Sequence, residues 1–168
     1  NRYDESSKLL YRVLSIEPKS STAINRLGLI NYIQEEYLSA LKFYDLAAEI
    51  SPEDNEILLY KAYSLNSLKR YDEALMELDK VLKREPGHIN AIQKKIDILY
   101  LMKKYEECVY FAERQPRSVE LGLHSLLEIA HSYANLKNGR AVEYFDRVLQ
   151  IDAKHNLALY HKAKFYLE

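Results

Sequence analysis

Apolar residues recur along this chain at the spacing of one helix face, and short polar stretches separate the apolar segments. In residues 71–82, apolar side chains fall on a single stripe when placed on a helix of 3.6 residues per turn. The sequence contains only four glycines and four prolines, which leaves room for little besides helices and short turns. The pattern predicts an all-α fold of about ten antiparallel helices.

The helical pattern repeats every 34 residues. One repeated position is a proline, which stops a helix because its ring fixes φ and it has no backbone N–H. Other repeated positions are a tyrosine and two small residues, which would let paired helices approach closely. The residues that carry this period are Pro18, Pro52 and Pro86; Tyr3, Tyr37, Tyr71 and Tyr105; Gly28 and Ala62; and Ala40 and Ala74.

A period of this length, with proline, tyrosine and small residues in this order, resembles the tetratricopeptide repeat, a helix–turn–helix unit of 34 residues. The resemblance covers the whole chain and implies an α–α superhelix, or solenoid, of tetratricopeptide repeats. We expect one solenoid domain over residues 1–168. Its predicted parts are the second helix of a partial repeat at 1–20, repeats at 21–54 and 55–88, a divergent repeat at 89–122, a repeat with a one-residue deletion at 123–155, and the first helix of a partial repeat at 156–168.

Both ends of the sequence match only half a repeat, and no initiator methionine is present. These features predict a piece of a longer array. Repeats of this kind bury their apolar faces only on neighbouring repeats, so an uncapped last helix is expected to pair with another copy of the chain. The residues predicted to mediate this self-association are Leu159, Tyr160, Phe165 and Tyr166.

Two adjacent places break the repeat pattern. Pro116 is predicted to end its helix near Arg114, because it would remove a hydrogen bond to Ala112 and clash there. The turn before Ala141 is one residue short and contains Asn138. Two interpretations stay open, which are sequence drift in a tolerant repeat and a change in superhelical pitch that shapes a binding surface.

The resemblance also implies where a partner would bind. In this family the first helices of the repeats line a concave groove, and the second helices form the convex back. The register of the repeat assigns a set of residues to the concave face. These predicted partner-binding residues are Asn25, Arg26, Leu29, Tyr32, Tyr60, Tyr63, Lys94, Asp97, Tyr100, Glu128, His131 and His161.

The repeat spacing predicts which of these residues are neighbours. Asp97 should lie near Glu128, and His131 near His161. Two carboxylates repel unless a cation joins them, and an internal salt bridge with Lys94 is favoured over a basic side chain of a partner. The tyrosines on this face would either anchor a partner or pack beside one another, and both alternatives stay open.

Two specialised ligands of the family are not supported by the residues. The basic and asparagine clamp that holds the acidic carboxyl terminus of heat-shock chaperones is incomplete, because Leu29 and Tyr60 replace hydrogen-bond donors. The asparagine ladder of the O-GlcNAc transferase superhelix is missing, because its column contains Arg26, Lys94 and Glu128 among others. The sequence therefore predicts a general binder of peptides or proteins.

Charge and composition argue against several other functions. The chain has 24 basic and 25 acidic residues, so it lacks the positive field that nucleic-acid binding requires. No apolar run approaches the ~20 residues of a membrane helix. The single cysteine, Cys108, occupies a small-residue position and is expected to be buried and inert; it favours a reducing compartment such as the cytoplasm.

Enzymatic and metal chemistry receive little support from the motifs. His124, Glu128 and His131 share one helix face. Glu128 and His131 have the spacing of one half of a di-iron site, but no second helical copy of the pair exists. A zinc site of His131, His161 and Glu128 is the alternative that the register allows. No phosphate-binding glycine loop and no nucleophile with a base are evident. We therefore predict a non-catalytic scaffold without a cofactor; the alternative is an architectural module that self-associates in a multi-subunit assembly.

Overall fold

The computed structural model describes residues 2–116 and 118–167, and these form ten α-helices. No β-strand occurs within these residues, so the predicted all-α fold is confirmed. In chain order the helices are α1 (Arg2–Ile16), α2 (Ser21–Ile33), α3 (Tyr37–Ile50), α4 (Asn55–Ser67), α5 (Tyr71–Arg84), α6 (Ile89–Leu101), α7 (Tyr105–Glu113), α8 (Leu123–Asn135), α9 (Arg140–Ile151) and α10 (Asn156–Leu167).

Side-chain caps fix the starts of three helices. The Asp54 carboxylate accepts hydrogen bonds from the backbone N–H groups of Glu56 and Ile57, at 2.9 and 3.4 Å. His88 and His155 accept through ring Nδ1 from the N–H three residues onward, at 3.3 and 3.2 Å. Each cap satisfies an N–H that has no partner inside its helix. These caps set the first residues of α4, α6 and α10.

The same backbone turn joins the two helices of each pair, α2–α3, α4–α5, α6–α7 and α8–α9. One residue of each turn has a left-handed conformation, and its N–H and the next N–H bond back to carbonyls at the end of the first helix. This arrangement is a Schellman motif, in which glycine is the usual left-handed residue. Here the four positions are 34 residues apart and none is glycine: Glu35 (φ 63°), Lys69 (φ 59°), Lys103 (φ 57°) and Lys137 (φ 52°).

Helices α1–α5 belong to the first of two compact units, residues 1–84. Helix α2 packs against α1, α3 and α4, and α4 packs against α3 and α5. The buried side chains of Ile24, Ala47 and Ile57 form one core cluster. Gly28 approaches the Tyr44 ring so closely that an added Cβ would lie 2.7 Å from Tyr44 Cε1. Only glycine fits this contact without a shift of the ring.

Helices α6–α10 belong to the second compact unit, residues 85–168, in which α8 contacts α6, α7, α9 and α10. Ile129 and Phe145 are fully buried in its core. Cys108 is also buried, as predicted, and burial raises the pKa of its thiol to about 11. The thiol therefore stays protonated at neutral pH and is a poor nucleophile. That residues 1–168 form one continuous solenoid domain stays a prediction.

Helix α7 is shorter than its counterparts. It has 9 residues, whereas α3 and α5 have 14 each. It ends at Glu113 with Arg114 as the C-cap, two residues before Pro116, so the predicted early end is confirmed. The Phe111 carbonyl at this helix end accepts two hydrogen bonds, from the Gln115 side chain at 2.6 Å and from the Arg114 N–H at 3.2 Å.

Candidate functional site

An open groove with a volume of about 400 Å³ lies in the second unit, lined by α6, α8 and α10 and by the turn after α8. Three residues predicted on the concave face meet in it. The ring centroid of His131 lies 6.1 Å from that of Tyr100 and 4.4 Å from that of His161, so the predicted adjacency of the two histidines is confirmed. We call this surface the histidine groove; its lining residues are Tyr100, His131, Ala134, Asn135, Lys137, His161, Lys164 and Phe165.

The charge of the histidine groove comes from lysines. Burial and the neighbouring His161 lower the pKa of His131 to about 4. Burial and the nearby Lys164 also lower the pKa of His161. Both imidazoles are therefore neutral at pH 7, while Lys137 and Lys164 carry positive charge. The groove combines aromatic and imidazole surfaces with a cationic rim.

A second cluster in the same unit contains Asp97 on α6 with His124 and Glu128 on α8. One ligand atom from each of the three lies within 4.8 Å of the others. Glu128 Oε1 is 3.1 Å from His124 Nε2, and Asp97 Oδ2 is 2.6 Å from Lys94 Nζ. The predicted adjacency of Asp97 and Glu128 and the predicted internal salt bridge of Lys94 are confirmed. We call Asp97, His124 and Glu128 the carboxylate–histidine cluster.

The histidine in this cluster is not the one that the sequence indicated. The sequence hypothesis joined Glu128 to His131 and His161, whereas the structure joins it to His124. Residues four apart lie above one another on a helix, which brings the His124 imidazole onto the Glu128 carboxylate. His131, on the next turn, stacks instead on Tyr100 and meets His161 edge-on. The spacing places His124 on the same helix face as Glu128 and His131, but the zinc hypothesis did not include it.

Two residues predicted on the open concave face are buried instead. Asn25 is 4% exposed and Glu128 is 3% exposed. Each lies next to a buried apolar residue of its helix, Ile24 beside Asn25 and Ile129 beside Glu128. A small rotation about the helix axis is therefore enough to turn each side chain towards the interior. Asn25 Oδ1 and Glu128 Oε2 have no hydrogen-bond partner among the described residues. Burial and the adjacent Asp97 carboxylate raise the pKa of Glu128 well above its ordinary value.

The predicted tyrosines of the first unit pack among themselves. Tyr60 stacks on Tyr44 with ring centroids 6.0 Å apart and meets Tyr63 edge-on at 5.9 Å. Tyr32 meets Tyr37 edge-on at 5.5 Å. Tyr32, Tyr60 and Tyr63 are only half-buried, and burial raises the pKa of Tyr63 to about 12. These contacts support the packing alternative and leave part of each ring accessible.

The remaining predicted residues are divided between the two units. In the first unit, Arg26 is exposed and forms an ion pair with Glu56 at 3.2 Å, and Leu29 is half-buried. The residues predicted for self-association lie on α10. Leu159, Tyr160 and Tyr166 are 46%, 64% and 67% exposed, whereas Phe165 is half-buried and lines the histidine groove.

No family model matches the chain. A TPR repeat-containing protein of Methanocaldococcus jannaschii is 26% identical over 96% of the chain and 32% of the relative. Anaphase-promoting complex subunit 3 of Dictyostelium discoideum is 27% identical over 66% of the chain and 11% of the relative. The chain thus spans about a third or less of these curated relatives.

Solved structures agree on the fold. The crystal structure of YrrB, a TPR protein described as having an unusual peptide-binding site, superposes with a TM-score of 0.79 at 19% identity, covering 97% of the chain and 84% of YrrB. The C-terminal part of a TPR repeat-containing protein of Cytophaga hutchinsonii gives a TM-score of 0.83 at 15% identity, covering 98% of the chain and 66% of that structure.

The 34-residue period, the ten helices of the described residues and these similarities show that the chain has the helical-repeat fold of tetratricopeptide repeat proteins. The predicted resemblance to that family and the predicted fold class are confirmed. Among the described residues, no helix combines the length and the apolar character that crossing a membrane requires.

Proposed function

We propose that the chain is a non-catalytic interaction module whose histidine groove binds an extended, acidic segment of a partner protein. The observation that carries the proposal is the groove itself, in which rings of Tyr100, His131 and His161 lie beside Lys137 and Lys164. Aromatic rings offer rigid contact area at low entropic cost, and lysines attract carboxylates and steer their approach. The proposed setting is the cytoplasm or another reducing compartment.

The comparisons support an interaction role in general. YrrB is described as having a peptide-binding site, and the Dictyostelium relative is named as a subunit of a multi-subunit complex. The acidic character of the ligand rests on this chain alone. At neutral pH the groove presents ammonium groups and uncharged imidazoles, so a carboxylate in it would meet attraction without an opposing charge from its lining residues.

Reversing the charge of both groove lysines should weaken binding of acidic peptides. We expect Lys137→Glu with Lys164→Glu to raise the Kd about threefold to tenfold, because each exposed ion pair contributes about 0.2–1 kcal/mol. Glu35 occupies the same left-handed turn position as Lys137, so glutamate is compatible with that backbone. Peptides selected on the wild-type chain from a random displayed library would be measured by fluorescence anisotropy.

The matched control is Lys154→Glu, an exposed lysine that does not line the groove. It changes the net charge in the same direction and should leave the Kd within about twofold, since a distant surface charge is largely screened. Equal weakening by the control and the groove variant would contradict the proposed site. Selected peptides without acidic residues would contradict the proposed ligand.

A second candidate function is assembly through α10. Leu159, Tyr160 and Tyr166 expose large apolar surfaces on this helix, and such surfaces are typical of protein interfaces. We infer that these side chains would be covered by a second copy of the chain. The role in assembly would then be architectural.

Light scattering after size exclusion tests the assembly role over a concentration series. We expect growth from a monomer to a dimer that Tyr160→Ser with Tyr166→Ser reverses, because the substitutions remove most of the exposed aromatic area of α10. Leu38→Ser, which removes an exposed apolar side chain from α3, is the control and should not change the mass. A monomer at every concentration would contradict the second candidate and leave the groove as the functional surface.

A further inference from the structure

The buried carboxylates of Glu77 and Glu128 differ in whether cations pair with them. They are the two acidic side chains that are buried among residues 2–116 and 118–167. Glu77 forms ion pairs with Lys61 at 3.0 Å and Lys80 at 2.7 Å. Burial would raise the pKa of Glu77, but these cations outweigh it and the pKa is lowered. Within the same described ranges, Glu128 has no such pair of cations, and its Oε2 has no hydrogen-bond partner.

The groups around Glu128 are of the chemical kinds that bind metal ions in proteins. Glu128 Oε1 lies 3.1 Å from His124 Nε2, and atoms of Asp97, His124 and Glu128 converge within 4.8 Å. A carboxylate that is almost fully buried, with a free oxygen, gains from a cation more than an exposed carboxylate does, because little water solvates it. The cluster therefore offers two oxygen ligands and one nitrogen ligand, and Glu128 would release its proton when a cation binds.

We propose that Asp97, His124 and Glu128 bind a first-row divalent transition metal, for which Zn²⁺ is the natural probe. The mixed ligand set argues for this class, since imidazole suits zinc and its neighbours whereas calcium and magnesium prefer oxygen alone. Three protein ligands leave a coordination position open, as in zinc sites that also bind water or another molecule. The proposal is independent of peptide binding in the histidine groove.

Metal binding requires the three ligand atoms to move closer together. A tetrahedral metal with bonds of about 2.1 Å holds its ligand atoms about 3.4 Å apart, so separations that now lie within 4.8 Å would shorten by up to about 1.4 Å. The His124 side chain is 77% exposed and can rotate without disturbing the core. Glu128 is held by its burial, so the mobile ligand is the histidine.

Lys94 is the competing cation. Its Nζ lies 2.6 Å from Asp97 Oδ2, where it occupies one oxygen of the proposed ligand. A bound Zn²⁺ would have to displace this ammonium group or use the other Asp97 oxygen beside it. The positive charge of Lys94 should therefore weaken metal binding, and its removal should strengthen it.

The test is calorimetric titration of the whole chain with Zn²⁺ alone, supported by visible absorption of bound Co²⁺. We expect one metal per wild-type chain. His124→Ala should raise the Kd more than about tenfold, since even groups that only orient ligands contribute about 10–100-fold. His124 is exposed, so this variant leaves the core intact. Glu128→Gln should abolish binding, and Lys94→Gln should lower the Kd.

The neighbouring histidine pair provides the matched control. The rings of His131 and His161 are 4.4 Å apart, and these residues are the rival metal ligands in the same unit. His161→Ala should leave the Zn²⁺ Kd unchanged. Loss of binding in His161→Ala with retention in His124→Ala would overturn the proposal, as would weaker binding in Lys94→Gln or no stoichiometric binding by the wild-type chain.

Discussion

Replacement of Gly28 by alanine is expected to lower the free energy of unfolding by about 1–3 kcal/mol. The new Cβ would lie 2.7 Å from Tyr44 Cε1 and 2.9 Å from Cδ1, well inside van der Waals contact. The Tyr44 ring is fully buried and stacks on Tyr60, so it cannot move aside freely. Alanine favours helix over glycine by about 1 kcal/mol, and the expected loss is what remains after this gain. Urea unfolding followed by circular dichroism measures the change.

Gly139→Ala is the control for this substitution. A Cβ added to Gly139 would meet no atom of the described residues within 4 Å, and the φ of −57° suits alanine without strain. We expect no loss of stability and a gain of up to about 1 kcal/mol, because alanine reduces the freedom of the unfolded chain. If Gly28→Ala proved as stable as Gly139→Ala, close packing of α2 against Tyr44 would not be what requires glycine.

Acidification from about pH 7 to about pH 5 is expected to destabilise the wild-type chain by about 1–2 kcal/mol more than the His131→Phe variant. The pKa of His131 is lowered from 6.5 to about 4 in the folded chain, first by burial and then by His161. Between these values the unfolded chain binds more protons than the folded chain. Stability from this group is therefore full above pH 6.5 and is lost as the pH falls towards 4.

The comparison with His131→Phe isolates one histidine. Phenylalanine keeps a ring against Tyr100 and Phe145 but does not titrate. His161, whose pKa is also lowered, and Glu128, whose pKa is raised and which acts in the opposite direction, remain in both proteins. Their effects largely cancel when urea midpoints are compared at the two pH values. Identical pH dependence in the two proteins would show that His131 is not held neutral by its surroundings.

The sequence predicted the fold because its strongest signals are periodic and local. The 34-residue period sets the helix boundaries, and Pro116 ends α7 through a lost hydrogen bond that can be counted from the sequence. The same period predicted two contacts between repeats, Asp97 with Glu128 and His131 with His161, since residues about one repeat less one helical turn apart lie beside each other on successive first helices.

What the sequence did not predict depends on rotation of side chains about a helix axis and on turn conformation. Asn25 and Glu128 lie at the border of the buried stripe, where a small rotation decides between solvent and interior. Lys137 joins the histidine groove from a left-handed turn residue, a position that a helical register does not describe. His124 lies at the first turn of α8, and its contact with Glu128 depends on side-chain direction.

The left-handed turns at Lys103 and Lys137 have a mechanical consequence for the second unit. Backbone hydrogen bonds close each turn and do not depend on the side chain of the left-handed residue. These turns therefore hold α6 to α7 and α8 to α9. A ligand that moves α6 away from α8 is therefore expected to move α7 together with α6, and α9 together with α8. Because α7 also packs against α8, such a displacement would change the packing between α7 and α8 as well.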